Sequence, residues 1–203
     1  MLPVRVLTGT ALPLNRGDVD TDQIIPAHWL KRVERTGYGA GLFSAWREED
    51  PNFVLNRPEY RGASIVVTGP NFGIGSSREH AVWALQEAGF AAVVSAKFGD
   101  IFRNNATKSG LVPVVVAAEI GERLLQAVVD DPRLLITVDI ERRMLLAPAA
   151  GMEVTFPLDD FTQNRLLEGL DDIGLTLRAT DEVDLYESQR ATWMPTVSRS
   201  PAL

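Results

Sequence analysis

The 203 residues are 45% hydrophobic and 23% charged, enough apolar material for one substantial core. A formal charge of -7 argues against a basic phosphate-binding surface and so against nucleic acid as a partner. Cysteine is absent, which excludes disulfides, thiolate nucleophiles and a Cys-ligated iron or zinc centre held by this chain; with only His28 and His80, a metal site of its own would rest on carboxylates.

In chain order, the opening MLPVRVLTGTALPL has neither the basic n-region nor the apolar core and cleavage site of a secretory signal. No apolar run is long enough to span a bilayer, so a cytoplasmic protein with no membrane attachment is the expectation. Residues 13–26 and 37–61 read as long irregular stretches, which in a compact domain are functional or mobile loops. Within the second, GYGAG at 37–41 has the flexibility of a flap.

Residues 64–67 form a β-branched run, residues 78–88 a helical pattern and residues 91–95 another apolar strand, the length and order of a βαβ unit. Residues 111–116 predict a further buried strand. Residues 119–129 predict a helix with Ile120, Leu124, Leu125 and Val128 on one face. Short strands are expected at 134–140, 144–147 and 153–157, and a helix at 161–170. The mixture predicts an α/β or α+β domain. That domain is expected to span 1–180, followed by a polar extension at 181–203, partly helical and then frayed at 198–203.

The chemistry concentrates in NFGIGSSREHAVWAL, residues 71–85. Ser76 followed by Glu79 has the spacing of a capping box, and Ala81, Ala84, Leu85 and Ala88 form a small-residue stripe suited to close packing on a sheet. Gly73 and Gly75 would serve the tight turn before the helix. A cap, however, requires neither a second hydroxyl nor an arginine where the helix dipole is already positive. Ser77 and Arg78 beside free helix-terminal amides make an anion site suited to a carboxylate or phosphate. On the residues alone, cap and ligand site both stand. Dinucleotide, P-loop and nucleophile-elbow patterns all fail, the first for want of a glycine at Arg78 and the last for want of one at Glu79.

This stretch, with DVDTDQIIPAHWLKR (18–32), FGDIFRNNATKSGLVPV (98–114) and LLEGLDDIGLTLR (166–178), resembles the small subunit of 3-isopropylmalate dehydratase, of the aconitase superfamily. The resemblance covers most of the chain. It implies a swivelling β/β/α domain of the aconitase type, closing over a [4Fe-4S] cluster held by cysteines of a separate large subunit, and none bound by this chain. It implies assembly as a heterodimer or higher hetero-oligomer, a small dicarboxylate substrate, and hydro-lyase activity only with the large subunit. The implied reaction is dehydration of 2-isopropylmalate and rehydration to 3-isopropylmalate, in leucine biosynthesis.

By match to the motif, Ser76 is implied as the base in its alkoxide form, and Arg78 as a catalytic cation. Gly75 and Ser77 are implied in substrate binding, Ser77 and Arg78 gripping a carboxylate. Thr21 and Asp22 are implied at the cleft, with Lys31 or Arg32 near the substrate. Asp18, Asp20 and Asp22 lack the remaining ligands of a calcium loop. Arg103, Asn104, Asn105 and Lys108 are expected partly to tie a loop beside the active turn, and Leu30, Val33 and Leu42 to line an isopropyl pocket. His80 reads as a packing residue outside the site. Ile74 stands where many members of the family carry Cys, which removes a thiol from the turn. Two further readings keep the same residues: a sister hydro-lyase acting on another malate-type acid, such as homoaconitate, citraconate or dimethylmalate, and a non-catalytic carboxylate-binding module.

Overall fold

The computed structural model describes residues 1–32, 34, 36–191 and 193–194. The chain divides into two compact units, Met1–Leu170 and Asp171–Leu203.

The first unit contains two four-stranded sheets. Strands β1 (Val6–Gly9), β6 (Ile136–Asp139), β7 (Met144–Ala147) and β8 (Met152–Thr155) form one, in the order β1-β6-β7-β8 with every pair antiparallel. Burial alternates along β6 and β7, as a sheet covered on one face requires. Strands β2 (Ala11–Leu14), β3 (Ile65–Thr68), β4 (Ala92–Ser95) and β5 (Val112–Val115) form the other, in the order β2-β3-β4-β5 and parallel throughout. Strands β2, β3 and β4 are buried at every residue, so no polar alternation marks them. Its two prolines, Pro13 and Pro113, fall on the edge strands β2 and β5, where a missing N–H costs no ladder bond.

Helix α3 (His80–Glu87) crosses from β3 to β4 and α4 (Asp100–Ser109) from β4 to β5, while α5 (Ala118–Asp130) packs on β2, β3 and β4. The βαβ expectation is therefore met; of the expected stripe Ala81, Ala84 and Leu85 are buried in α3, joined by Val82, whereas Ala88 is exposed at the end of the helix. On α5, Leu124 and Val128 are buried with Gly121, and Ile120 and Leu125 pack partly against the core. Helix α6 (Asp160–Glu168) ends the unit, capped by the Asp159 side chain, which accepts the Thr162 N–H at 2.8 Å.

The two stretches read as irregular carry several short elements. Residues 13–26 contain the end of β2 and a one-turn helix α1 (Thr21–Ile24), and residues 37–61 contain three short 3₁₀ turns and helix α2 (Ser44–Glu49). Segments this short show too few periods for a pattern to emerge. The second stretch is also core: Leu42, Phe43, Trp46, Phe53 and Tyr60 are buried, with Phe43 stacked on Trp46 at 5.4 Å. Leu42 is fully buried there, so it lines no open pocket; Val33 lies outside the described residues. The expected flap at 37–41 is a 3₁₀ turn, Tyr38–Gly41, packed against α3.

In the second unit, Asp171 caps α7 (Asp172–Leu177) by accepting the Gly174 N–H at 2.7 Å, and α8 (Thr180–Ser188) follows. The expected fraying of 198–203 falls outside the described residues. Among the described residues no helix is long and apolar enough to cross a membrane.

Candidate active site

The site lies beyond the carboxyl ends of β2 and β3, where ligands of parallel sheets usually bind. Two chain segments leave those strand ends and are stitched together by main-chain bonds. The Asp18 N–H donates to the Pro70 carbonyl at 2.8 Å, the Gly73 and Ile74 N–H groups both donate to the Val19 carbonyl, and the Thr21 N–H donates to the Ile74 carbonyl at 2.9 Å. Asn71 adds a side-chain bond to Asp18 at 2.6 Å. The floor is aromatic: Phe72 meets Phe102 edge-on at 5.2 Å. Gly73 lies over it at φ +73°, where a Cβ would come within 2.3 Å of the Phe102 ring, so the turn needs glycine for conformation and for space.

On this base stand the hydroxyls. Ser76 Oγ is 2.9 Å from Thr21 Oγ1, and the Ser76 N–H donates to the same Thr21 oxygen at 3.2 Å. Arg78 forms an ion pair with Asp22. The Asn105 side-chain amide, from α4, donates to the Ser77 carbonyl at 3.3 Å, the tie expected of that segment. Thr21 and Asp22 are presented by the first turn of α1. That turn is fixed by a capping box in which Asp20 accepts the Gln23 N–H at 2.8 Å and Gln23 accepts the Asp20 N–H at 2.9 Å. The D-x-x-Q spacing of this box was available in the sequence, and it is the signal that a reading of the acids as turn or cation residues passes over.

The capping box expected at Ser76 and Glu79 does not form. Helix α3 starts at His80, its N-cap is Glu79 with backbone already helical at φ -65°, and no side chain caps it. Ser76 is drawn away by Thr21, so its hydroxyl is free of helix duty and is supported by a side chain rather than by the helix terminus.

Of the residues singled out, Gly75, Ser76, Ser77, Arg78, Thr21 and Asp22 come together around one turn. Gly75, Ser77 and Asp22 are exposed, Ser76 and Arg78 half-buried and Thr21 buried. Lys31 and Arg32 stand apart at the end of a 3₁₀ turn, Ala27–Lys31. Arg32 lies over the Trp29 ring at 5.4 Å, and among the described residues no bond joins Lys31 or Arg32 to the turn. A cavity of about 330 Å³ between the strand ends and α5, lined by Arg16, Thr68, Gly69 and Gly121 among others, contains none of the six. The six form one partly exposed surface around the turn, with Thr21 buried beneath Ser76.

His80 is held between rings, 5.1 Å from Tyr38 and 4.6 Å from Trp83, with Nδ1 buried and unbonded among the described residues. Burial pushes its pKa below the ordinary 6.5, Glu79 opposing and Arg78 reinforcing the shift. It serves as packing beneath the turn.

Residues 1–119 match the family model of the aconitase C-terminal domain, which sets the fold in the class of aconitase-type domains. Residues 172–200 match the model of the C-terminal domain of the 3-isopropylmalate dehydratase small subunit. The chain is 59% identical to the 3-isopropylmalate dehydratase small subunit of Parafrankia sp., over 94% of this chain and 96% of that one. It is 54% identical to that of Rubrobacter xylanophilus, over 97% and 100%. The solved 3-isopropylmalate dehydratase (leuD) of Methanocaldococcus jannaschii shares the fold at a TM-score of 0.64 and 24% identity, over 89% of this chain and 99% of that one. The chain belongs to the family of 3-isopropylmalate dehydratase small subunits.

Proposed function

We propose that the chain is the small subunit of a 3-isopropylmalate dehydratase, a hydro-lyase of leucine biosynthesis that acts with a large subunit on 2-isopropylmalate. The reading is carried by one observation beside the family: Ser76, Thr21, Arg78 and Asp22 converge on an exposed turn at the end of the parallel sheet. The donor chemistry of this chain does not fit an iron–sulfur cluster, since it has no cysteine, and among the described residues no group of three His, Asp or Glu is placed to hold a metal. The cluster is assigned to the large subunit, and the small chain's part is to bind carboxylate and move a proton.

The guanidinium of Arg78 offers five donors, of which the pair with Asp22 leaves some for a substrate carboxylate. Asp22 keeps it oriented on the turn. Ser76 Oγ, as the oxyanion, takes the proton from the carbon next to a carboxylate as the hydroxyl leaves, for which the large subunit's cluster would supply the Lewis acid. Ser76 Oγ–H then returns that proton to the carbon bearing the isopropyl group, so the base is regenerated and the hydroxyl adds to the neighbouring carbon. Ser77 and Gly75 complete the carboxylate contact, and Lys31 or Arg32 would approach the substrate as the large and small chains come together.

Reconstitution tests this directly. The purified chain alone should fold, contain no iron and turn over nothing, and should become active on 2-isopropylmalate when the cluster-loaded large subunit is added. Stoichiometric iron in the isolated chain, or a reconstituted pair that prefers citraconate or dimethylmalate, would overturn the assignment.

A further inference from the structure

Ser76 meets Thr21 through two atoms, and the pairing constrains how their protons are shared. Thr21 Oγ1 carries one hydrogen and two lone pairs. The Ser76 N–H donates into one lone pair at 3.2 Å, and Ser76 Oγ lies 2.9 Å from the same oxygen. While Ser76 is protonated, either hydroxyl can donate in the second contact. Once Ser76 has lost its proton, only the Thr21 O–H can.

Thr21 is built for a fixed role. It is 1% exposed, so bulk water does not compete for its hydroxyl. Its N–H is held by the Ile74 carbonyl at 2.9 Å and its carbonyl accepts the Ile25 N–H at 3.0 Å, while the Asp20–Gln23 capping box fixes the turn on which it sits. A β-branched side chain on that backbone has few rotamers, and the Ser76 N–H selects one.

We infer that Thr21 is a positioning residue for Ser76: its hydroxyl donates to the Ser76 oxyanion and stabilises the deprotonated form, instead of contacting the substrate. This rests on Ser76 as the base. A donor aimed at the oxygen before it ionises needs no reorganisation when it does, and in a site dried by closure against the large chain such a donor is worth far more than in water. Ser76 then has a route to the oxyanion that does not depend on the α3 terminus, which begins four residues later at His80.

The test uses the reconstituted enzyme and three variants. Thr21→Val keeps the shape and removes the hydroxyl, and should lower kcat by about 10²-fold with KM within a few-fold, as loss of one oxyanion donor does. The acid limb of its pH–rate profile should move to higher pH, because Ser76 becomes harder to ionise. Thr21→Ser should restore most of the rate. In a Ser76→Ala background Thr21→Val should cost nothing more, since Thr21 acts only through Ser76. If Thr21→Val does not assemble, Thr21→Ala serves as the hydroxyl-free variant. A loss confined to KM with an unmoved pH profile makes Thr21 a substrate contact and overturns the inference, as does normal turnover without the hydroxyl while Ser76→Ala is inactive. Near-normal turnover of Ser76→Ala itself would remove the base reading, and this inference with it.

Discussion

Ser76 and Arg78 share one turn, yet their proposed roles fall at different moments of the reaction, and substitution should separate them. A base acts only when the proton moves, so Ser76→Ala should lower kcat by about 10² to 10⁴ with a modest change in KM. Its folding should be little affected, because Ser76 makes no helix cap; what is lost is one half-buried contact with Thr21. Arg78→Lys keeps the charge but loses the planar fork that can hold Asp22 and a carboxylate together. It should raise KM strongly, with some fall in kcat. Steady-state kinetics of the assembled variants check both, and a Ser76→Ala enzyme of near-normal kcat would send the search for the base elsewhere. The Arg78–Asp22 pair itself adds little stability, as Asp22 is more than half exposed. The G-S-S-R run was legible as a local motif. The support beneath it was reached only through the family resemblance, which puts Thr21 at the cleft: Thr21 lies 55 residues from Ser76, and nothing local in either segment announces the hydroxyl pair.

Helix α3 joins the site to the 3₁₀ turn Tyr38–Gly41 through a ring cluster of Tyr38, His80 and Trp83. The charged neighbours of His80 are Glu79 and Arg78 on its own segment; the packed turn offers the Tyr38 ring. Because burial lowers the His80 pKa from 6.5, the unfolded chain binds more protons than the folded one between that lowered value and 6.5. Stability from the neutral ring is therefore complete above about pH 6.5 and falls as the pH drops through this window. His80→Phe keeps the ring and removes the titration, and should flatten the dependence. Urea midpoints of both proteins between pH 7.5 and 5 decide it, and equal slopes would place the pH sensitivity elsewhere. Sequence periodicity found α5, with its full face, and three strands of the parallel sheet, β3, β4 and β5, whose runs are rich in valine and isoleucine. It missed β1, β2, α1 and α2, each of four to six residues, because apolar patterns that short do not distinguish strand, turn and coil, and it missed the ten-residue α4, whose mostly polar sequence buries only Phe102 and Ala106 of its apolar positions.

Every buried hydrophobic residue among those described lies at or before Leu166, and no described residue of α7 or α8 is buried. A chain ended after Leu170 should therefore unfold cooperatively with a melting temperature within a few degrees of the full chain. One ended after Thr180 should gain little more. Calorimetry compares them, and a melting temperature that recovers only in the longer form would extend the folding unit to the boundary read from polarity. What the sequence alone determined is the set of quantities that depend on neighbours a few residues apart or on totals: the buried strands, the βαβ order, the exclusion of thiol-ligated iron, and the motif that carries the family. Tertiary structure decided which sheet each strand joins, that residues 37–61 put Leu42, Phe43, Trp46, Phe53 and Tyr60 into the core, and that Ser76 answers to Thr21 and not to its own helix. The reason is physical. A capping box and a hydroxyl pair are both hydrogen bonds of similar strength, and which one Ser76 makes depends on whether a fixed, buried oxygen waits at 2.9 Å, a fact set by how β2 and β3 lie side by side.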